Sequence, residues 1–384
     1  MIRTMARCQS ERGLEVHVAT TDDNGPGRLA NPGNVQVTEE SVTYWIFPRQ
    51  TPFYLFSFPL TRWLRKHTAD YDVVHIHALF SYASVAAALC AKLAGVPYIV
   101  RPLGTLNQWG MRHRRRWLKK LSFRLIESRI LRASAGVHYT SEQEALEAKQ
   151  WGVAHNPFVI PNPVDLPGPR KAHIDFRSAH PHLMGKMLVL FLSRLDPKKG
   201  LDLLLPAFGR VRARYPEAVL VVAGDGDPNF VTGLKQQASS LGLDSGIVWT
   251  GFLRGEEKNA ALADADLYVL PSYSENFGVA VVEAMGAGLP VIVSDQVGIH
   301  REIARAQAGL VVECTVERIE SALMTAIGDD GLRARMGANA ARLARQFSPE
   351  AVAPQVAAVY AQLQSLRGKP SAAWPGPIQL KDSA

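Results

Sequence analysis

Short apolar runs, separated by amphipathic stretches of helical period, recur along the whole chain. As buried strands these runs fall over 14–20, 42–47, 72–77, 98–101, 136–139 and 159–161 in the first half. In the second half they fall over 187–193, 218–223, 247–250, 267–270, 291–294 and 310–312. Alternating strands and helices predict an α/β class with parallel sheets, because a parallel strand returns only through a crossover connection. Between the halves, 162–187 is rich in Pro, His and charge, has little periodicity and reads as a linker. A last helix is expected over 349–366, followed at 368–384 by small residues with Pro370, Pro375 and Pro377, the composition of a disordered tail. The predicted organisation is a first domain 1–163, a second 164–348, a terminal helix 349–367 and the tail 368–384. No internal repeat of the kind that builds a solenoid is visible.

One segment carries more chemistry than the others. From 267 to 294 the chain reads as an apolar strand to Leu270, a polar turn Ser-Glu-Asn-Phe-Gly, a helix over 279–287 and the next strand at 290–294. This places Glu275 in the turn and Glu283 one to two turns into the helix. Free N–H groups and the helix dipole attract anions to such a terminus. Carboxylates beside an anion repel it and are better suited to gripping hydroxyls. A ligand with phosphate and hydroxyls together is a sugar nucleotide. Taken alone, the two glutamates fit a loop charge and a solvated helix residue equally well.

Two further turns follow predicted strands. In Phe-Leu-Ser-Arg-Leu-Asp-Pro-Lys-Lys-Gly, ending at Gly200, Arg194 and Lys199 suit a diphosphate whose charge rises as it leaves, although either alone reads as a surface charge. In Ala-Gly-Asp-Gly-Asp, ending at Asp227, glycines permit close approach of a ligand to the backbone or simply make a tight turn. His75 and His77 lie on one face of a strand, but no third ligand has suitable local spacing, so no metal site is expected.

Composition narrows the class. With 384 residues and 47% hydrophobic content the chain fits a globular protein of about two to three domains. Its longest apolar stretch, 84–100, is broken by Lys92, Gly95 and Pro97 and is too short to span a bilayer. The start has no apolar core of a signal peptide. Cys8, Cys90 and Cys314 are odd in number and far apart, which indicates neither a disulfide framework nor a cysteine metal site and makes the cytosol the default.

Charge is uneven: residues 1–163 hold 20 Lys and Arg against 12 Asp and Glu, and the rest hold 23 against 23. Most of the excess lies between Arg112 and Arg132, where Arg114, Arg115, Arg116, Lys119, Lys120, Arg124 and Arg129 face only Glu127. Trp109, Met111, Trp117, Leu118, Leu121, Leu125 and Ile126 are interleaved, as in a basic amphipathic helix on an anionic membrane surface. The rival is a solvated helix whose apolar face packs on its own sheet. Nucleic acid is not expected as a partner, since no recognised motif accompanies the charge.

The Glu-Asn-Phe-Gly turn with its second glutamate resembles the retaining glycosyltransferases of the two-domain GT-B type, specifically the large glycosyltransferase family 4, and the resemblance covers nearly the whole chain. It implies two Rossmann-like domains facing each other across a cleft, with the last helix crossing back to the first domain. It implies that Glu283 holds the nucleotide ribose, and that Glu275 with the N–H groups of Asn276, Phe277 and Gly278 holds the donor sugar. Arg194 and Lys199 would carry the donor diphosphate. The edge at Gly224, with 251–253 ending at Leu253, would line the base pocket. No metal and no other cofactor is implied. The acceptor would bind the first domain, where His77 is a candidate lining residue.

Two departures stand out. Where the family often carries a histidine before a glycine, Arg-Pro-Leu-Gly-Thr places Leu103, leaving Arg101 or His77 as candidate substitutes. The first strand and its Gly-rich loop are absent, because 2–12 reads as a helix leading into the strand at 14–20, so the resemblance implies a working protein with residues upstream of Met1. The expected reaction is transfer from a nucleoside diphosphate sugar with retention, by same-face attack in which the leaving phosphate takes the acceptor proton. The basic stretch favours a lipid-linked saccharide acceptor, as in exopolysaccharide or lipopolysaccharide assembly, and a cytoplasmic enzyme peripheral on the inner face of the cell membrane. Transfer to a soluble acceptor, and an inactive truncated homologue serving as a binding subunit, are the alternatives.

Overall fold

The computed structural model describes residues 2–25, 27–29, 35–107, 109, 116–153, 156–167 and 175–368. The chain forms two compact units, one from 1–163 together with the segment from Pro349 onward, the other Val164–Ser348.

In the second unit six parallel strands form one sheet: β10 (Met187–Leu192), β11 (Ala218–Ala223), β12 (Ile247–Gly251), β13 (Leu267–Leu270), β14 (Val291–Ser294) and β15 (Gly309–Val312). Their order is β12-β11-β10-β13-β14-β15. β10, β11, β13 and β14 are apolar almost throughout and buried on both faces, as strands covered by helices on each side must be. The order reverses between β10 and β13, so the loops that follow these strands diverge to opposite sides and leave room at their carboxyl ends.

The segment expected as a linker is partly built into this unit. Asp175 caps a short helix, Phe176–Ala179, by accepting from the Arg177 N–H at 2.9 Å. Arg177 then pairs with Asp266 at 2.9 Å and donates to the carbonyls of Leu183 and Lys186 at 2.8 Å each. Phe176 and Leu183 are buried in the core. The tail expected beyond Gly368 lies outside the described residues.

The first unit holds β1 (Val16–Thr21), a small ribbon of β2 (Asp23–Asn24) and β3 (Gly27–Arg28), β4 (Val35–Glu39), β5 (Val42–Phe47), and the parallel set β6 (Val74–His77), β7 (Tyr98–Arg101), β8 (Gly136–Tyr139) and β9 (Pro157–Val159). They form separate sheets, β1-β5-β4 and β6-β7-β8-β9. Strand β4 was not expected. It turns into β5 through Glu40 and Ser41, both with positive φ (50° and 61°), the geometry of a two-residue hairpin, but neither residue is a turn former. Strand β9 begins two residues earlier than expected, with Pro157 tolerated because β9 is an edge.

The terminal helix Pro349–Gln364 belongs to the first unit. Val352, Val356, Val359 and Leu363 are buried there with Met5, Ile99, Phe158 and Ile160. Gln9 ties the first helix, Ile2–Ser10, to it by donating to the Ala353 carbonyl at 3.0 Å.

The same face of the β6–β9 sheet buries an unusual polar set. His75 Nδ1 meets the Tyr360 hydroxyl at 2.7 Å, His138 Nδ1 lies 3.3 Å from His75 Nε2, and His77 stacks on His75 with ring centres 4.3 Å apart. Arg101, with no exposed surface, donates to Asn162 and contacts the Met5 sulfur at 3.7 Å. The third histidine is His138, which no local spacing announces. Its Nε2 is 2.8 Å from the Ile160 carbonyl, whereas the buried His77 Nδ1 and Arg101 Nε meet no protein partner, and among the described residues no group of His, Cys, Asp or Glu is placed to hold a metal.

Burial, reinforced by the Arg101 charge, holds all three imidazoles below their ordinary value, His77 at about 3. Burial likewise draws Arg101 down to about 10. The histidines stay neutral in the folded state but take up protons when unfolded below pH ~6.5. Stability is therefore full above that pH and falls as pH drops toward the folded-state values, by up to about 1.4 kcal/mol per pH unit for each histidine. Urea unfolding at successive pH values between 7 and about 4 should give a shallower acid slope for His77→Asn than for the wild type, by about one proton's worth. Equal slopes would contradict the burial of a neutral His77.

Candidate functional site

At the carboxyl ends of β10 and β13 the backbone is stitched so closely that side chains are excluded. After β10, Asp196 caps a 3-10 turn, Pro197–Lys199, by accepting from the Lys198 N–H at 3.1 Å. Gly200 then adopts φ +75° against the other loop, where a Cβ would lie 2.0 Å from the Pro271 carbonyl oxygen. After β13, Tyr273 N–H donates to the Lys198 carbonyl at 2.8 Å. Glu275 N–H donates to the Gln296 carbonyl at 3.0 Å, and its own carbonyl accepts from Gly298 N–H at 2.8 Å. Gly278, at φ +93°, starts the helix Val279–Gly286. Three loops are thus held at the switch point, where ligands of open α/β sheets bind.

The charged side chains of these loops meet. Lys199 pairs with Glu275, with side chains only 10% and 19% exposed. Lys258, on the helix Gly255–Asp264, pairs with Glu283 at 2.7 Å. Burial lowers the Lys198 pKa, with Glu275 opposing and Lys199 and Arg194 adding to the effect, so the three cations share one field. Arg194 is the most accessible: its side chain is 66% exposed and, among the described residues, pairs with Asp196 at 3.6 Å. The buried Tyr268 hydroxyl, which donates to the Leu192 carbonyl at 3.0 Å, is pushed well up by burial, with the charges of Glu275 and Glu283 adding to it. The site is a pair of neutralised carboxylates beside an exposed guanidinium. An arriving diphosphate can recruit Arg194 and Lys199, releasing Glu275 to accept from hydroxyls.

The structure brings Lys199 and Glu275 into contact but leaves Glu283 and Arg194 in pairs with other residues. Asn276, Phe277 and Gly278 form the turn as expected, yet the Phe277 ring is core, edge-on to Phe347 at 5.6 Å, so only its backbone is available to a ligand. The glycine requirement at Gly224 and Gly226 comes from the neighbouring loop. A Cβ on Gly224 would lie 1.8 Å from the Ser193 carbonyl oxygen, and one on Gly226 2.0 Å from that of Leu195. Leu253 packs at the margin of the same core. Lys258 was missed by sequence reasoning because no motif links it to Glu283. Lys198 was overlooked although it stands beside Lys199.

In the first unit Arg101, buried under the terminal helix, is not free to line a cleft, and Leu103 holds φ +55° in the turn after β7. Within the basic stretch Arg112, Arg114 and Arg115 lie outside the described residues. The rest forms the helix Arg116–Ser122, a π-helical turn Phe123–Glu127 and the helix Ser128–Ala133. Phe123 and Ile126 pack inward, but Trp117, Leu118, Leu121 and Leu125 are 75%, 54%, 56% and 45% exposed. The apolar face is therefore not consumed by its own sheet. Among the described residues no helix is long and apolar enough to cross a membrane.

Comparison with known proteins is consistent in both halves. The family described as Glycosyl transferases group 1 matches residues 174–343, and Glycosyltransferase Family 4 matches residues 1–167. A phosphatidyl-myo-inositol mannosyltransferase of Mycobacterium leprae is 34% identical over 199 residues, 50% of this chain and 52% of that protein. A D-inositol 3-phosphate glycosyltransferase of Corynebacterium efficiens is 32% identical over 180 residues, 46% of this chain and 42% of that protein. The chain spans about half the length of the curated relatives it matches. Among solved structures, Anabaena HepE in complex with UDP and glucose superposes with a TM-score of 0.69 at 20% identity, over 84% of this chain and 87% of that one. WaaG, a glycosyltransferase involved in lipopolysaccharide biosynthesis, gives 0.69 at 17% identity over 94% of both chains. At such identities the likeness is one of fold, two Rossmann-like units of the GT-B type.

Proposed function

We propose that this chain, which belongs to the family 4, group 1 glycosyltransferases, moves a sugar from a nucleoside diphosphate sugar to a saccharide acceptor carried on lipid. The observation that carries the reading is the Lys199–Glu275 pair at the switch point, with Arg194 exposed beside it. In this reading Arg194, Lys199 and the neighbouring Lys198 take the diphosphate and stabilise the charge that grows as it leaves. Glu275, freed from Lys199, and the N–H groups of Asn276, Phe277 and Gly278 hold the sugar hydroxyls. Glu283 holds the ribose once Lys258 yields it. Gly224 and Leu253 border the base through their backbone. Retention follows if the acceptor hydroxyl attacks on the face the diphosphate leaves, passing its proton to the departing phosphate oxygen. No resident metal is required, since the cations of the loop supply the charge.

The acceptor side is read from the first unit. Exposed Trp117, Leu118, Leu121 and Leu125 among lysines and arginines suit an anionic membrane surface, which favours a lipid-linked acceptor and a peripheral position on the inner face of the membrane. Relatives named for phosphatidyl-myo-inositol agree with that class, and one named for an inositol phosphate supports a soluble acceptor as the second reading.

Glu275→Gln replaces a charged acceptor by a neutral amide, at a loss of roughly 1.5 to 3 kcal/mol per hydroxyl bond, or about ten- to hundredfold in transfer rate. Transfer assayed with the donor that most raises the melting temperature in a screen of GDP-, UDP- and ADP-sugars should show this loss without a change in fold. Wild-type turnover would sink the assignment.

Replacing Arg114, Arg115, Arg116, Lys119 and Lys120 by Gln should release the protein from vesicles containing phosphatidylglycerol, since each cation near such a surface contributes about 1 kcal/mol. Unchanged flotation would favour the soluble acceptor.

A further inference from the structure

A groove of about 540 Å³ opens in the first unit along the basic helices. One wall is the row Arg124, Ser128 and Arg132, spaced by four on consecutive helical turns. The floor is Phe123 and Leu131, and the far wall is Trp151. The Phe123 and Trp151 rings stand edge to face, 6.2 Å apart. Arg132 folds back on Ser128, donating to its carbonyl and hydroxyl oxygens at 3.1 Å each, which fixes one guanidinium at the rim. Arg124 has no side-chain partner among the described residues.

Two features point to a ligand. The Trp151 indole N–H is buried and meets no acceptor, a desolvation cost that a ligand acceptor would relieve. The one carboxylate of this stretch, Glu127, is turned inward, accepting from Tyr54 at 3.2 Å and from Ser122 at 2.9 and 2.8 Å. Among the described residues that line the groove there is therefore no carboxylate to compete for the guanidiniums. Their planar forks match the oxygens of a phosphodiester. Inorganic phosphate would leave Phe123, Leu131 and Trp151 uncovered. A phospholipid would cover them, and the exposed Leu121 and Leu125 continue the apolar surface past the helix.

We propose that this groove is a specific site for one anionic phospholipid, its phosphodiester held by Arg124 and Arg132 beside the apolar lining of Phe123, Leu131 and Trp151. The proposal deepens the membrane-surface reading and rests on it. It adds a discrete, saturable headgroup site to what would otherwise be diffuse attraction.

The test separates the two. Dihexanoyl phosphatidylglycerol, kept below its micelle concentration, presents a headgroup and short chains but no surface. Calorimetric titration of the full chain should show saturable binding at a single site, weakened by about tenfold for each guanidinium lost in Arg124→Gln and Arg132→Gln. Trp151→Phe, which removes only the indole N–H and keeps an aromatic floor, should weaken binding by a smaller factor. Dihexanoyl phosphatidylcholine and inorganic phosphate should bind at least tenfold more weakly than the anionic lipid. Circular dichroism melts of the three variants should match the wild type, since Arg124 and Arg132 are exposed. No saturable binding, or equal affinity in the arginine variants, overturns the proposal. Phosphate binding as tight as the lipid reduces the groove to a plain anion site and overturns it too. Failure of vesicle flotation with intact monomer binding would instead count against the surface reading alone.

Discussion

Close backbone contact at the switch point between β10 and β13 is the constraint on which the candidate site depends. Gly200 lies against the Pro271 carbonyl, Gly224 against that of Ser193 and Gly226 against that of Leu195, each closer than any Cβ would allow. No side chain can separate these loops, so Lys199 and Glu275, which come from different strands, are delivered to one another by the backbone. The helix that follows Gly278 then presents Glu283 to Lys258. Ion pairs this close to the surface add little stability by themselves, since desolvation offsets much of their attraction. On the proposed reading the Lys199–Glu275 pair is a charge reserve, in which an incoming diphosphate takes over the ammonium and frees the carboxylate.

The first unit solves a different problem. A guanidinium with no exposed surface is kept in the core with a neutral amide, a thioether and three neutral imidazoles for company. The histidines are held neutral chiefly by burial, with the Arg101 charge adding to it, and the acid side of the stability profile follows from that. In the basic helices the carboxylate of Glu127 is turned inward, bound by Tyr54 and Ser122, and not toward the cations around it.

Much of this was legible in the sequence for a physical reason. Strands buried on both faces must be apolar throughout, so β10, β11, β13 and β14 stand out as runs, and the turns between them carry the charges. The polar turn before Val279 and the cations before Gly200 were readable because function and geometry both fall on short local segments. What escaped depends on distant partners. Strand β4 is half-exposed and its turn residues, Glu40 and Ser41, carry no turn signature. The stretch at 175–187 looked like a linker because its order comes from Arg177 reaching Asp264 and Asp266, almost ninety residues on. Lys258 is 25 residues from Glu283, and His138 is 63 from His75, so neither partnership has a local trace. Gly224 reads in the sequence as a ligand contact or a tight turn, and the close approach of the Ser193 carbonyl is what requires a glycine there.

The claim that Lys199 and Glu275 divide a donor between them, ammonium to diphosphate and carboxylate to sugar, has a direct test. Titration calorimetry with a nucleoside diphosphate and with the corresponding nucleoside diphosphate sugar, on wild type, Lys199→Met and Glu275→Gln, separates the two contributions. The account predicts that Lys199→Met weakens both ligands alike, while Glu275→Gln leaves the diphosphate bound as in the wild type and removes the extra affinity that the sugar confers. Equal weakening of the diphosphate and its sugar in Glu275→Gln, or unchanged binding in Lys199→Met, would contradict it.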